Sequence, residues 1–338
     1  MSRSPRPLVV EVMRGPIVES RHAVRAAAVD ADGKLMAAFG DVDEPVFPRS
    51  AIKIMQALSL VETGAADAFD LGSEQLALAC ASHSGEPKHT ERVAAWLAKL
   101  GLSAADLECG PQWPKPDEAV HALVRAGLSP TAIHNNCSGK HTGMLAQARH
   151  MGEPTRGYTA SDHPVQRRVL ATIAALCDLA ADKIVLGTDG CSLPAVALPL
   201  QRFARGLAQI AAPVKQPANR AEASRRLIAA KIAHPDLVAG TGRFDTAFMP
   251  AMQGRVASKS GAEGVWVAML PDRGIGIAVK AEDGAGRAAE IGLIAFLDRI
   301  GLLDAEARER LRPLAHPSIR NWAGRLVGEM RPATAPGF

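Results

Sequence analysis

The strand-forming segments of this chain lie at its two ends, and the stretch between them is patterned for helices. Near the N-terminus, "PLVVEVMRGPIVESRHAVRAAAVDADGKLMAAFGD" shows β-type runs with a turn at "DADGK". Near the C-terminus, "GVWVAMLPDRGIGIAVKAED" reads as a β-hairpin across "PDRG". Between them, "SAIKIMQALSLVETG" carries Ile54, Leu58 and Val61 at helical spacing and stops at Gly64. Helical character continues through Cys80. After the loop "SHSGE", a helix opens at Pro87, a residue suited to the first helical position, and closes at Gly101. Helical patterns recur at 117–126, 140–150, 163–180 and 219–233, and "GAGRAAEIGLIAFLDRIGL" predicts a helix after the hairpin. The economical solution is an α+β fold: one antiparallel sheet built from both chain ends, helices packed on it, and a helical middle at about 65–235. The tail "MRPATAPGF" reads as frayed, with the folded part ending near 332 and 333–338 outside it.

Composition narrows the function classes. The chain has 338 residues, 47% of them hydrophobic, enough for one large core or two smaller ones. A net charge of +4 is small and spread along the chain, and only 4% of residues are aromatic, which argues against a nucleic-acid surface. No apolar stretch reaches the length of a membrane span, and the opening residues lack a signal-peptide core. Five cysteines, an odd number in a long chain, argue against a disulfide framework and for a reducing cytoplasm.

Two short motifs carry chemistry. In "FPRSAIK", Ser50 and Lys53 are three apart, so on a helix they share a face. A serine hydroxyl needs a base to become a nucleophile, and a lysine serves once burial or a nearby cation lowers its pKa. Arg49 is such a cation. The tetrad alone is close to what chance supplies, and a helix-capping serine beside a solvated lysine is its plainer reading. The second motif, Lys259-Ser260-Gly261 ahead of the C-terminal hairpin, is much rarer by chance. Ser-x-x-Lys with a late Lys-Ser/Thr-Gly is the signature pair of serine β-lactamases and penicillin-binding proteins. In that arrangement Lys259 stands near the nucleophile, and Gly261 lets a substrate approach the backbone. A further serine, Ser82, lies in the "ASHSGE" loop, where serines are most often turn formers.

Cys137 in "HNNCSGKHTGML" and Cys191 in "GTDGCSLPAVALPL" sit in polar, glycine-bearing loops, unlike Cys80, Cys109 and Cys177, which read as packing. Two cysteines supply half of a tetrahedral zinc site, and Lys140, His141, His134 and Asp189 are candidates for the rest. A thiol nucleophile, with Cys137 beside His134 or His141, and two plainly buried thiols are the other readings.

Taken together, "PRSAIKIMQAL", "CASHSGEPKHTERV", "HNNCSGKHTGML", "GTDGCSLPAVALPL" and "SKSGAEGVWVAML" resemble the rhizobial-type, or class 3, L-asparaginases, over about residues 8–300. The resemblance implies a serine β-lactamase-like fold, with a single catalytic domain over 1–332, and hydrolysis of L-asparagine to L-aspartate and ammonia. It implies a serine–lysine tandem at Ser50 and Lys53 and a second at Ser82 and Lys259. It further implies zinc held by Cys137, Lys140 and Cys191, Asp189 as a polar group beside the metal, and a homodimer. Two other readings remain open: a different serine amide hydrolase of β-lactamase type, and a non-catalytic zinc-binding or thiol-sensing protein.

Overall fold

The computed structural model describes residues 6–180 and 184–333. The strands are β1 (Leu8–Arg14), β2 (Ile17–Asp30), β3 (Leu35–Phe39) and β4 (Pro45–Val46), then β5 (Val185–Thr188) and β6 (Pro194–Pro199). They continue with β7 (Ala257–Gly261), β8 (Val265–Leu270), β9 (Ile275–Ala281), β10 (Ser318–Arg320) and β11 (Leu326–Pro332). The first seven helices are α1 (Lys53–Glu62), α2 (Ala65–Ala68), α3 (Ser73–Ala79), α4 (Pro87–Lys99), α5 (Asp117–Arg125), α6 (Ser138–His150) and α7 (Pro164–Cys177). The others are α8 (Leu200–Ala211), α9 (Ala218–Ala233), α10 (Pro235–Val238), α11 (Phe244–Ala251), α12 (Gly286–Arg299) and α13 (Ala305–Ala315). None of the described helices is long and apolar enough to cross a membrane.

One compact unit gathers the described residues of 1–51, 198–212 and 248–338. Its sheet has the order β10-β11-β1-β2-β9-β8-β7, with β3 also on β2, and every pairing is antiparallel. The two chain ends join where β2 meets β9, from Val24 opposite Ala281 to Asp30 opposite Ile275. This is the α+β sheet that the sequence pattern predicts. Helices cover both of its faces. Gly276 on β9 faces α8 so closely that a Cβ there would lie 2.2 Å from the Ala204 carbonyl oxygen. Val24 on β2 faces α12, where a Cβ on Gly292 would lie 2.9 Å from its side chain. Gly276 pairs with Val29, and successive strand residues alternate faces, so Val24 and Gly276 point to opposite sides. Burial on both sides explains why "VWVAML" is apolar at every position: all six residues of β8 are buried.

The C-terminal expectation needs correction. Met330–Pro332, expected in a frayed tail, lie in β11 and pair with Val10–Val12 of β1. β11 lies between β1 and the short edge strand β10, and it is backbone pairing that holds this segment, which gives little apolar signal to read in advance. Residues 334–338 lie outside the described residues.

The second unit gathers the described residues of 52–197 and 213–247. Its axis is α1, in which every residue from Lys53 to Val61 is buried. α1 packs against α6, α7 and α9, and α3 packs against α6 and α9. Glycines let α6 come this close. A Cβ on Gly139 would lie 2.5 Å from the Leu78 carbonyl, and one on Gly143 would touch Leu60 and Trp96. The helix expected over 163–180 ends at Cys177, because Asp178 takes a left-handed φ of 53° that closes it. β5 and the first part of β6 form a hairpin, Val185 opposite Ala197 to Thr188 opposite Pro194, whose turn carries Asp189 and Cys191. In that turn Ser192 has a φ of 70°, unusual for a residue with a side chain.

Candidate active site

In the sheet unit, Ser50 lies in a 3-10 turn (Arg49–Ile52) that runs directly into α1, and it is partly exposed. Arg49 before it adopts a φ of 51°. A left-handed conformation at a non-glycine residue costs about 1–3 kcal/mol and tends to accompany function. The end of β7 presses on this turn: a Cβ on Gly261 would lie 2.3 Å from the Pro48 carbonyl oxygen and 3.3 Å from Ala51 Cβ. Lys259, two residues earlier on the strand, shares that side of β7 and is buried. Its Nζ donates to the Ser260 carbonyl at 2.8 Å and the Ser260 hydroxyl at 3.1 Å. Gly261→Ala should therefore lower stability by about 2 kcal/mol, since backbone on both sides must yield. Chemical denaturation measures this, and a change below about 0.5 kcal/mol would contradict the close approach.

In the helical unit, Lys53 is 0% exposed. Its Nζ donates to the Ala81 carbonyl and, at 2.9 Å, to the Ser82 hydroxyl. Burial holds its pKa below the ordinary 10.5; the Lys140 charge acts in the same direction, while Cys137 and Cys191 oppose it. The loop carrying Ser82 is pinned on several sides. Ser82 N–H donates to the Val238 carbonyl and His83 N–H to that of Asn136. Gly85 N–H donates to His83 Nδ1, so His83 carries its proton on Nε2 and gives it to Ser138 Oγ at 2.9 Å. Burial, reinforced by the charges of His89, Lys53 and His134, keeps His83 neutral, well below the usual histidine range. His83 stacks on His89, with centroids 4.9 Å apart.

The two singled-out cysteines meet in this unit, and all five cysteines are free thiols. Cys137 caps α6 at its N-terminus, and Lys140, one turn on, places Nζ 3.2 Å from Cys191 Sγ. A hydrogen bond from the Cys191 thiol, together with Lys140 and Lys53, holds Cys137 well below its ordinary pKa. The same bond and burial push Cys191 up. Lys140 is held charged by the two sulfurs and Asp189, against the opposing effect of burial. Lys53 also bonds to Cys137, so the thiol cluster and the Lys53–Ser82 pair form one continuous polar centre inside an apolar unit.

The remaining candidates sort themselves. His141 Nδ1 is occupied by the Tyr158 hydroxyl at 2.8 Å, and its buried Nε2 has no hydrogen-bond partner. His134 turns its Nδ1 to Thr131 instead. Cys109 is pushed up to about 12, by burial first and the Cys137 charge second, as a packing cysteine would be. No cluster of three histidine, cysteine or carboxylate side chains fit to hold a metal exists among the described residues; the third donor beside Cys137 and Cys191 is a lysine. Sequence reasoning missed the contacts of Lys53 with Ser82 and Cys137, and the His83–Ser138 pair. It also missed Lys231, a fully buried lysine whose pKa burial lowers, near Cys80 and Asp245. No local spacing encodes these contacts, which join segments distant in sequence.

The family described as L-asparaginase II matches residues 10–332. None of the curated proteins matches this chain. Among solved structures, the chain is similar to Mglu in its native form, at 16% identity and a TM-score of 0.46, over 83% of this chain and 65% of that one. The chain thus spans about 65% of the length of Mglu. It is also similar to the D-alanine carboxypeptidase AmpC from Burkholderia cenocepacia, at 14% identity and a TM-score of 0.39, covering 83% of this chain and 93% of that one. A β-lactamase from Mycobacterium bovis matches at 12% identity and a TM-score of 0.38, covering 86% and 94%. The family match takes in nearly the whole chain, including every residue of the Ser50, Ser82, Cys137, Cys191 and Lys259 motifs, and the chain belongs to the L-asparaginase II family.

Proposed function

We propose that this protein hydrolyses the side-chain amide of L-asparagine to L-aspartate and ammonia through an acyl-enzyme on Ser50. The observation that supports it best is Lys53: a lysine buried without exposure, its pKa depressed, one helical turn after Ser50 and 2.9 Å from a second serine hydroxyl. Neutral Lys53 takes the proton of Ser50, and Ser50 Oγ attacks the amide carbon. The backbone N–H of Ser50 and one from the strand end after Gly261 receive the oxyanion; a single such donor is worth about 3–4 kcal/mol. Ser82 and Lys259 deliver the proton that lets ammonia leave, and water then cleaves the ester to release aspartate. Arg49 is one candidate partner for the substrate carboxylate, and other cations are further candidates. A second reading has a specific observation behind it: with Lys53 Nζ already on Ser82 Oγ, Ser82 is the alternative nucleophile.

Zinc belongs to the same proposal. Two sulfurs in contact and an amine 3.2 Å from one of them form a soft nitrogen–sulfur donor set that suits zinc, with Asp189 acting electrostatically on both Cys191 and Lys140. Cys137, Lys140 and Cys191 would hold the ion, which when bound supplies a positive centre that braces the two loops and can polarise a ligand at its fourth position. Binding must displace protons from Cys191 and Lys140, so affinity should fall as pH falls. Elemental analysis of protein purified without chelator should find about one zinc per chain, and Cys137→Ser and Cys191→Ser should each lower it. Metal-free native protein would contradict this. A cytoplasmic homodimer completes the proposal, supported by five reduced cysteines and the family resemblance.

Ammonia release from L-asparagine by the purified protein tests the function. Turnover of asparagine without turnover of nitrocefin supports it; nitrocefin cleavage without ammonia release would favour a β-lactamase-like hydrolase. Neither activity, with zinc bound, would favour the non-catalytic reading.

A further inference from the structure

α5 is a helix with little of its own chain to hold it. None of its nine residues from Asp117 to Arg125 is buried. An isolated helix shorter than about 12–15 residues is marginal in water, and packing of an apolar face supplies the difference in folded proteins. Here that face is left open. Val120 and Leu123 are only partly covered, and Val124 is 58% exposed. Leu128 and Trp113, beyond either end of the helix, are 58% and 47% exposed. Leu128 is held in place: its N–H donates to the Leu123 carbonyl at 2.9 Å, and Gly127 closes the helix at a φ of 64°. The apolar positions are ordered but uncovered.

The charges of α5 indicate what covers it. Glu118 and Arg125 are seven residues apart, which puts them on one flank of the helix and about 10 Å apart along its axis. That is too far for them to pair with each other, and among the described residues neither of them forms an ion pair. A second copy of this chain supplies the missing partners. Two α5 helices laid antiparallel across a two-fold axis set Glu118 of each opposite Arg125 of the other, acidic first turn to basic last turn, with the helix dipoles opposed. We propose that α5, with Trp113 and Leu128 beyond its ends, docks on the same surface of a second copy in this antiparallel arrangement. Val124 and Leu128 supply apolar area, and the charges, worth little alone, fix the orientation. The proposal names the surface of the homodimer proposed above and rests on that reading. It also ties the interface to the candidate site. The segment leading into α5 is bonded to the loops that carry Ser82 and Cys137. Lys115 N–H donates to the Ser84 carbonyl at 2.9 Å, Asn136 N–H to Gln112 Oε1 at 3.1 Å, and Asn135 Nδ2 to the Cys109 carbonyl at 2.9 Å. A second copy seated on α5 therefore braces both loops.

Sedimentation over a range of protein concentrations measures the dissociation constant of the dimer. Glu118→Arg and Arg125→Glu each set like charges opposite one another twice, and each should weaken the dimer about 10-fold or more. The Glu118→Arg/Arg125→Glu double variant restores opposite charges and should return to within about threefold of the wild type. Val124→Asp/Leu128→Asp should be monomeric. All four residues are exposed, so the fold is retained in these variants. Hydrogen exchange gives a second readout: the amides of 117–125 should be protected in the wild-type dimer and exchange rapidly in Val124→Asp/Leu128→Asp. A wild type that stays monomeric at high concentration would overturn both this surface and the homodimer. A dimer that no α5 variant weakens would overturn the surface and leave the homodimer standing. A double reversal weakened as much as either single one would overturn the antiparallel pairing. None of these readouts depends on ammonia release, so amide hydrolysis stands or falls separately.

Discussion

Ser50→Ala is expected to lower ammonia release from L-asparagine by about 10⁴-fold or more, because removing a nucleophile leaves only what binding and oxyanion stabilisation can do alone. The fold should survive. Ser50 is partly exposed in a short turn, so deleting one hydroxyl opens no cavity. Steady-state assay and thermal unfolding of the same preparation separate the two effects. Retention of more than about a hundredth of the activity would remove Ser50 from the role and pass it to Ser82. Ser82→Ala is the companion: in the proton-delivery role it should slow turnover less than Ser50→Ala does, by about 10²–10⁴-fold.

Lys53→Met is expected to be as inactive as Ser50→Ala and to unfold at no lower temperature than the wild type. Lys53 occupies the interior of α1 with no exposure, and its pKa is depressed from 10.5 chiefly by burial. The sign follows from proton linkage. The unfolded chain binds this proton more tightly than the folded one, so stability falls as pH drops from about 10.5 to the folded value, and the cost persists below it. Methionine of similar length removes that cost. It leaves the Ser82 hydroxyl and the Ala81 carbonyl without one donor, an opposing loss of about 1–3 kcal/mol. Lys53→Arg should be inactive at every pH, since arginine does not release its proton. Thermal unfolding at pH 7 and pH 10 checks the first part: the gain of Lys53→Met over the wild type should be larger at pH 7. A variant that is less stable at both pH values would show that the ammonium is a net structural tie, not a poised base.

Much of this architecture was legible in the sequence because its signals are local. The hairpin across "PDRG", the helix entry at Pro87, the stop at Gly64 and the turn at "DADGK" each follow from what a few consecutive residues can do. The strand-type segments at the two ends made a shared antiparallel sheet one economical solution, but periodicity alone did not pair them; the β2–β9 ladder does. β10 and β11 were not legible, since β10 is a three-residue edge strand and β11, which ends at Pro332, is held by backbone pairing with β1 and β10 and not by an apolar pattern. In the site, Ser50, Lys53, Lys259, Cys137 and Cys191 stood out through short motifs or loop chemistry. The reach of Lys53 across α1 to Ser82 and Cys137 did not, because it depends on how α1, α3 and α6 pack, and glycines such as Gly139 set that distance.

The serine that carries the acyl group can be identified in one measurement. Wild-type protein mixed with saturating L-asparagine, quenched in acid within one turnover and digested, should yield a peptide spanning Ser50 that carries one aspartyl ester, and Ser50→Ala should yield none. An aspartyl group on the Ser82 peptide, on Cys137, or on no residue while ammonia is still released, would contradict a covalent mechanism starting at Ser50.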